Sequence, residues 1–531
     1  MSSSAKRPKS GGAESSEVED VITAVVCRED ELKNGQMRQV EIEDTRVLLV
    51  KEANKIHALS SKCTHYGAPL AKGAYSNGII RCPWHGACFS VETGDIEDFP
   101  GCDSLQKFGT QVSNGEVTVI ASKASLAVSK RKKQMTKCTS TSKDATVVII
   151  GGGGAGFSCA ETLRQKGFFG RIMMLCKESS LPYDRPKLSK AGDIPEKSIQ
   201  LRPKEHYEAN DIELVLGCEV SKVDLNTRVV YAGGSEYRYG YLVIATGGSP
   251  RTLTCQGSDL NNIAYLRTPQ DARDIHSAAD GKHVVVVGTS FIGMEEAASL
   301  AKKAESISIV GSTSVPFERS MGADIGKICQ AASDNGSVER VVLNDGTKIE
   351  AGLVVAGIGV TPTTDFLRST KLQIDSRGYI IVNEMMQTNI SNVYACGDIV
   401  KFPVLAFDGM VSNVQHWQMA LKHGRTAALA IVGREEPCLS VPFFWSTMFG
   451  KSIRYAGIGA GYDNTIVHGS LEDMKFVCYY LKSDKVVAVA SMNRDPVVAQ
   501  VAELFRIRRT ITKADVERST EDDWLPLLHD E

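Results

Sequence analysis

Two cysteines and two histidines stand in pairs: Cys63-Thr64-His65, then sixteen residues, then Cys82-Pro83-Trp84-His85. Thiolates and imidazoles are the soft and borderline donors that hold zinc or iron, and two of each on paired loops make a four-ligand site. A structural zinc is the plain alternative to iron. A second kind of chemistry is written twice further on. Thr146-Val147-Val148-Ile149-Ile150 runs into Gly151-Gly152-Gly153-Gly154-Ala155-Gly156, and Val284-Val285-Val286-Val287 runs into Gly288-Thr289-Ser290-Phe291-Ile292-Gly293. A β-branched strand, a glycine turn and a helix, in that order, seat a pyrophosphate on the helix N-terminus. Gly151 makes the turn, Gly153 leaves room for a phosphate, and Gly156 lets the helix pack close to the strand. In the second copy Ser290 replaces the middle glycine, which holds the pyrophosphate further off, and Gly311 stands where a ribose-binding acid separates NAD from NADP. Two such units in one chain predict two facing dinucleotides, one a flavin (FAD) and the other NAD(P)H.

The elements that must hold these residues follow from the pattern around them. Short alternating runs such as Arg46-Val47-Leu48-Leu49-Val50, Lys55-Ile56-His57-Ala58-Leu59 and Glu116-Val117-Thr118-Val119-Ile120 predict a small all-β domain over 21–120. Residues 1–20, rich in Ser, Gly and charge, read as a disordered tail. Residues 121–143 carry seven basic residues and no acidic one; they read as a solvated linker, with Ser129-Lys130-Arg131-Lys132-Lys133 as a less favoured nuclear address. From 144 onward strands and helices alternate. Leu242–Gly248 and Leu353–Gly359 are apolar strands ending in glycine, and Asn392-Val393-Tyr394-Ala395-Cys396-Gly397-Asp398 puts a carboxylate after a strand.

Composition sets the outer bounds. At 531 residues the chain exceeds a single core, and 42% hydrophobic residues, 23% charged residues and a net charge of -2 describe a globular protein with no bias toward nucleic acid. No apolar run approaches the roughly 20 residues of a membrane span. Fourteen cysteines without a repeating framework point to a reducing compartment, the cytoplasm, and to few or no disulfides. A mitochondrial location is the alternative, unsupported by the mixed charges of the first 20 residues.

The ligand pairs resemble those of Rieske centres, in which two histidines replace two cysteines on one iron of a [2Fe-2S] cluster. Gly67-Ala68-Pro69-Leu70 and Gly86-Ala87-Cys88-Phe89 carry the likeness into both loops. High-potential Rieske proteins add an inter-loop disulfide and hydroxyl donors to the cluster sulfurs, where this chain has Ala68, Ala87 and Phe89. The resemblance therefore implies a low-potential centre of the Rieske ferredoxin kind. Cys88 and Cys102 read as small buried side chains.

From Thr146 to the end the chain resembles the ferredoxin-reductase branch of the pyridine nucleotide-disulfide oxidoreductases, through Leu181-Pro182-Tyr183-Asp184-Arg185-Pro186-Lys187-Leu188-Ser189-Lys190, Tyr265-Leu266-Arg267-Thr268, Gly359-Val360-Thr361-Pro362 and Gln415-His416-Trp417-Gln418. With the Rieske part in front, it resembles most closely the apoptosis-inducing factor 3 type. The resemblance implies that Arg185, Lys190, Arg267, Asp398 and the segment at Trp417 contact flavin, and that Lys190 and Glu295 form the catalytic pair near its N5. The adenosine ribose falls to Lys177 or Glu178. Dithiol exchange is not expected, because Cys159 and Cys176 lack the C-x4-C spacing. The fold class implied is multidomain: an all-β Rieske domain, two doubly wound α/β Rossmann-like domains, and an α+β domain. The FAD part would span 144–268 and 384–435, the NAD(P) part 269–383, and the C-terminal interface domain 436–531, with Trp445 and Phe449 in its core.

Function follows as an expectation: an FAD-dependent NAD(P)H oxidoreductase feeding its own cluster and an unidentified terminal acceptor, with a homodimer as one assembly open to it. The alternative is an apoptosis-related redox sensor with little turnover. Residues 324–340 leave the second repeat about two dozen residues short of its relatives, without room for the usual crossover helix and next strand. An exposed sheet edge and poor nicotinamide binding are the expected costs.

Overall fold

Alternation of apolar and polar residues closes the first part of the chain into two antiparallel sheets. A computed structural model of the protein describes residues 20–255, 258, 260–312, 316–317, 340–343, 347–519 and 521–529. The larger sheet orders its six strands as Val21–Arg28, Glu116–Ser122, Lys107–Ser113, Lys55–Ser60, Thr45–Glu52 and Met37–Ile42. The smaller runs Ala74–Ser76, Ile79–Arg81, Cys88–Ser90 and Ile96–Asp98. Pairing of Ile80 with Phe89 and Arg81 with Cys88 pinches the loop that carries Cys82 and His85. The other ligand loop leaves strand Lys55–Ser60 and is pinned by a bridge between Lys62 and Pro69.

The middle of the chain is doubly wound. Five parallel strands lie in the order Ile212–Val215, Arg171–Leu175, Thr146–Ile150, Tyr241–Ile244 and Val393–Ala395. Thr146–Ile150 is buried along its whole length, as a central parallel strand covered on both faces must be. Helix Gly154–Gln165 packs on helix Trp417–Ile431 so closely that a Cβ on Gly424 would fall 2.0 Å from Ala155 O. The second repeat places four parallel strands in the order Ile263–Ala264, Leu353–Ala356, His283–Val287 and Ser306–Val310. Among the described residues no strand pairs beyond Ser306–Val310, whose last four residues are only half buried. Most of the shortened stretch at 324–340 lies outside the described residues.

The C-terminal part is a five-stranded antiparallel sheet, Phe443–Met448, Lys451–Gly457, Lys485–Met492, Lys475–Lys482 and Asn464–Ser470, carrying helix Val497–Arg506. No helix among the described residues is long and apolar enough to cross a membrane.

The cluster-ligand sheets are built into the rest. One apolar core runs from Leu70, Ile80 and Phe89 into Val147 and Ile149, and another joins Ala74 to Val498 and Val501. Polar contacts follow the same seam. Arg81 and Glu503, both with fully buried side chains, pair at 2.6 Å; Arg425 holds Glu97 at 2.5 Å; Gln418 and Ser440 both donate to the carboxylate of Asp98. The basic stretch after residue 120 keeps Lys123, Lys130, Lys132, Lys137 and Lys143 exposed but is tied down at one place. Lys130–Arg131 pairs with Ser104–Leu105 as a short antiparallel ribbon, and Lys133 and Arg131 both reach Asp95, at 2.8 and 2.6 Å. Two of its seven basic side chains are matched by Asp95, a partner distant in sequence that composition does not reveal.

Candidate functional site

The two ligand loops are closed by the same pair of backbone bonds. Cys63 N–H donates to Ala68 O (2.9 Å) and Gly67 N–H to Cys63 O (2.9 Å); Cys82 N–H donates to Ala87 O (2.8 Å) and Gly86 N–H to Cys82 O (3.2 Å). Gly67 and Gly86 sit at φ +77° and +72°, a conformation that favours glycine. The imidazoles of His65 and His85 meet with their Nδ1 atoms 3.2 Å apart, and the free thiols of Cys63 and Cys82 lie within hydrogen-bonding reach of each other. Two nitrogens together and two sulfurs together is the division a two-iron cluster requires, whereas a single zinc takes all four donors about one centre. Burial, and then the charge on Lys187, lowers His65 to about 3; burial, and then His65, lowers His85 to about 2, so both imidazoles are in the neutral, ligating form. Ala68, Ala87 and Phe89 are buried, and the Thr64 hydroxyl donates to Asp103 O (2.7 Å). Cys88 is buried outside the ligand set, and Cys102 is only partly covered.

Both glycine turns have the geometry their spacing implies. A Cβ on Gly156 would lie 2.1 Å from Gly151 O, and one on Gly293 would lie 2.1 Å from Gly288 O, so each helix meets its strand at backbone contact. A Cβ on Gly153 would meet nothing within 4 Å, and neither helix has a side chain capping its first turn. The free amides and the empty space above them fit a pyrophosphate. Ser290 leaves this packing unchanged. At Gly311 a Cβ would fall 2.3 Å from the Thr289 side chain, so Thr289 itself excludes an acid there.

The residues expected around flavin gather beside the first turn. Arg185 pairs with Glu178 at 2.7 Å and also donates to Arg267 O, while Tyr183 donates to Glu178 at 2.7 Å. Lys177 points outward to Glu219, so of the two candidates at the strand end Glu178 is the one turned in. Burial, and then the Arg185 charge, lowers Arg267 to about 10, and burial raises Asp398 against the pull of Arg267 and Arg185. The Trp417 ring lies on the turn itself, 2.9 Å from where a Cβ on Gly154 would stand.

Lys190 and Glu295, 105 residues apart in sequence, are paired at 2.8 Å, and the Glu295 side chain is 3% exposed. Two hydroxyls complete the carboxylate: Ser189 donates to Oε2 (2.5 Å) and Ser446 to Oε1 (2.6 Å). Ser446 belongs to strand Phe443–Met448, whose period-two alternation sends its side chains to two different sites. On one face Phe444 packs on Phe291 and Ser446 reaches Glu295. On the other, Phe443 fills the place of a side chain on Gly86, and the Trp445 ring stands 4.7 Å from that of His85. The sequence reading that put Phe449 in the core is corrected: it is 56% exposed at a hairpin turn. Trp445 does pack on the C-terminal core, half buried, with its ring also against His85. Ser446 was missed because one serine in an apolar strand has no signal of its own; the alternation of the strand was the available clue.

Fold and site together define a two-dinucleotide flavoprotein oxidoreductase with a Rieske domain in front. Residues 23–109 match the Rieske [2Fe-2S] domain, 145–424 the pyridine nucleotide-disulphide oxidoreductase family and 443–522 the reductase C-terminal domain. Apoptosis-inducing factor 3 from Mus musculus and from Homo sapiens are each 46% identical over 522 residues, covering 94% of this chain and 86% of theirs. Putidaredoxin reductase CamA from Pseudomonas putida is 33% identical over 377 residues, 66% of this chain and 88% of its own. Among solved structures, the covalent putidaredoxin reductase-putidaredoxin complex superposes with a TM-score of 0.64 at 29% identity, covering 73% of this chain and 96% of that chain. The ferredoxin reductase for the CYP199A2 system of Rhodopseudomonas palustris gives 0.66 at 28% identity, covering 72% and 100%. The chain belongs to the pyridine nucleotide-disulphide oxidoreductase family, in its apoptosis-inducing factor 3 group. It is an FAD-dependent oxidoreductase, with FAD, NAD(P)H and a [2Fe-2S] cluster as the cofactors its family and its Rieske domain imply.

Proposed function

We propose that the chain passes electrons from NAD(P)H, through FAD, to a [2Fe-2S] cluster held by its own Rieske domain. When bound, these groups supply hydride donation, hydride acceptance and one-electron transfer. Cys63, Cys82, His65 and His85 are the ligands in this reading. Gly151, Gly153 and Gly156 seat the flavin pyrophosphate, with Glu178, Arg185, Arg267, Asp398 and Trp417 around the rest of the molecule. Gly288 and Gly293 do the same for the nicotinamide dinucleotide. Lys190 and Glu295 fix the place where hydride arrives, and the two serines hold Glu295 still. Strand Phe443–Met448 carries the proposal: one face touches Glu295 and the other touches His85, so the two ends of the transfer share a wall one strand thick.

The test is turnover and metal content together. Anaerobically purified protein should hold two irons and one FAD per chain and oxidise NADH or NADPH continuously with ferricyanide as acceptor. Zinc without iron would remove the cluster from the account. A single stoichiometric reduction with no further turnover would favour the sensing alternative.

A further inference from the structure

We propose that His423 is a positioning residue for the flavin site: its Nδ1, by accepting the backbone N–H of Gly397, sets the direction in which the Asp398 carboxylate leaves its turn. The proposal rests on the reading above only in placing Asp398 at the flavin. The chain leaves strand Val393–Ala395 in a turn whose backbone groups are taken one by one. Cys396 N–H donates to Ile244 O (3.0 Å), Val400 N–H to Gly397 O (3.3 Å), and the Asn413 amide to Asp398 O (2.8 Å). Gly397 N–H goes instead to a side chain, His423 Nδ1, at 3.3 Å and inside the core. Gly397 stands at φ +84°, and a Cβ there would fall 3.1 Å from Ala155 Cβ, so the turn has little room to shift toward helix Gly154–Gln165.

The other half of the imidazole is left unpaired. His423 is fully buried on helix Trp417–Ile431, and burial lowers it to about 3, so the ring is neutral. With Nδ1 accepting, the ring proton is on Nε2, which is buried without a hydrogen-bond partner among the described residues. Phe402 packs on the ring there, with centroids 4.2 Å apart and planes at 76°. An unpaired buried N–H is a cost that an apolar side chain would not carry; the bond from Gly397 is what offsets it. The helix itself is fixed at two places: a Cβ on Gly424 would fall 2.0 Å from Ala155 O, and Trp417 lies on the turn at Gly154. One rigid helix therefore sets both the first glycine turn and the turn that carries Asp398.

Three variants separate an acceptor from a space-filler. His423→Phe keeps a ring and removes the acceptor, His423→Leu removes both, and His423→Asn keeps an acceptor near the Nδ1 position without the ring. Holoprotein of each is diluted, and FAD release is followed by the rise of flavin fluorescence, with circular dichroism as the check on folding. Release should be about tenfold faster in the Phe and Leu variants and within roughly threefold of the unaltered protein in the Asn variant. The flavin midpoint potential should move in the first two and stay in the third. If one variant without an acceptor fails to fold, the other decides. Packing alone gives the reverse order, Phe close to the unaltered protein and Asn the worst; that order, or equal release in all three, overturns the proposal. Asp398→Ala tests the placement of Asp398 separately. Unchanged FAD release there sinks that placement and this inference with it, whereas faster release there, with the His423 variants unchanged, sinks this inference alone.

Discussion

Two carboxylates on adjacent positions of helix Phe291–Leu300 have opposite circumstances. Glu295 accepts from Lys190, Ser189 and Ser446, whereas both oxygens of Glu296 are buried without a hydrogen-bond partner. The hydroxyl of Ser446 is the longest-range of the three donors in sequence, and removing it frees one side of Glu295. Ser446→Ala should slow flavin reduction by NADH about tenfold, the equivalent of about 1.4 kcal/mol from one hydrogen bond to a charged group. Ser446→Thr should restore it in stopped flow, because the oxygen is kept; an unchanged rate in the alanine variant would remove Ser446 from the site. For Glu296, burial and then Glu295 raise the carboxyl to about 8, so the folded chain holds a proton that the unfolded chain releases near pH 4.5. The folded pKa is the higher one, so the contribution to stability is intact below pH 4.5 and declines as pH rises toward 8. Glu296→Gln should therefore nearly match the parent at pH 4 and exceed it at pH 8.5, by roughly 3–5 kcal/mol at most. Urea unfolding at the two pH values checks it, and a pH-independent difference would contradict it.

At the scale of elements, strands and glycine turns were legible because each has a periodic or positional signature: alternation around Val47 and Val119, and Gly156 and Gly293 five residues after Gly151 and Gly288. The pairing of Lys190 with Glu295 was legible only through family resemblance, since nothing local ties the two together. The seam was not legible at all. Arg81 and Glu503 are 422 positions apart, and a lone arginine in a short strand has the look of a surface residue until its partner is known. Their pair should bind the small ligand sheet to helix Val497–Arg506. Glu503→Gln takes the carboxylate from both Arg81 and Arg506 and should cost about 3–5 kcal/mol, while Arg81→Met with Glu503→Leu, which still leaves Arg506 without it, should recover part of that. Hydrogen exchange in strands Ile79–Arg81 and Cys88–Ser90 is the readout. Equal protection in the single and double variants would show that the pair does not hold the seam.

For the whole molecule, the sequence predicted a cluster domain joined by a tether, whose advantage is effective concentration. The structure adds a dock to that link: shared cores, a basic ribbon laid on Asp95, and one strand standing between Glu295 and His85. Composition could not show this, because a docked surface and a solvated one use the same residue types until their partners are known. Electron transfer in such a molecule needs no encounter between molecules. The central claim is tested by rapid freezing after mixing with NADH, following flavin bleaching and the paramagnetic signal of the reduced Rieske cluster over a tenfold range of protein concentration. The expected result is that the cluster signal grows at a rate set by flavin reduction and unchanged by dilution. A rate proportional to protein concentration, or a flavin that bleaches while the cluster stays oxidised, would contradict the account.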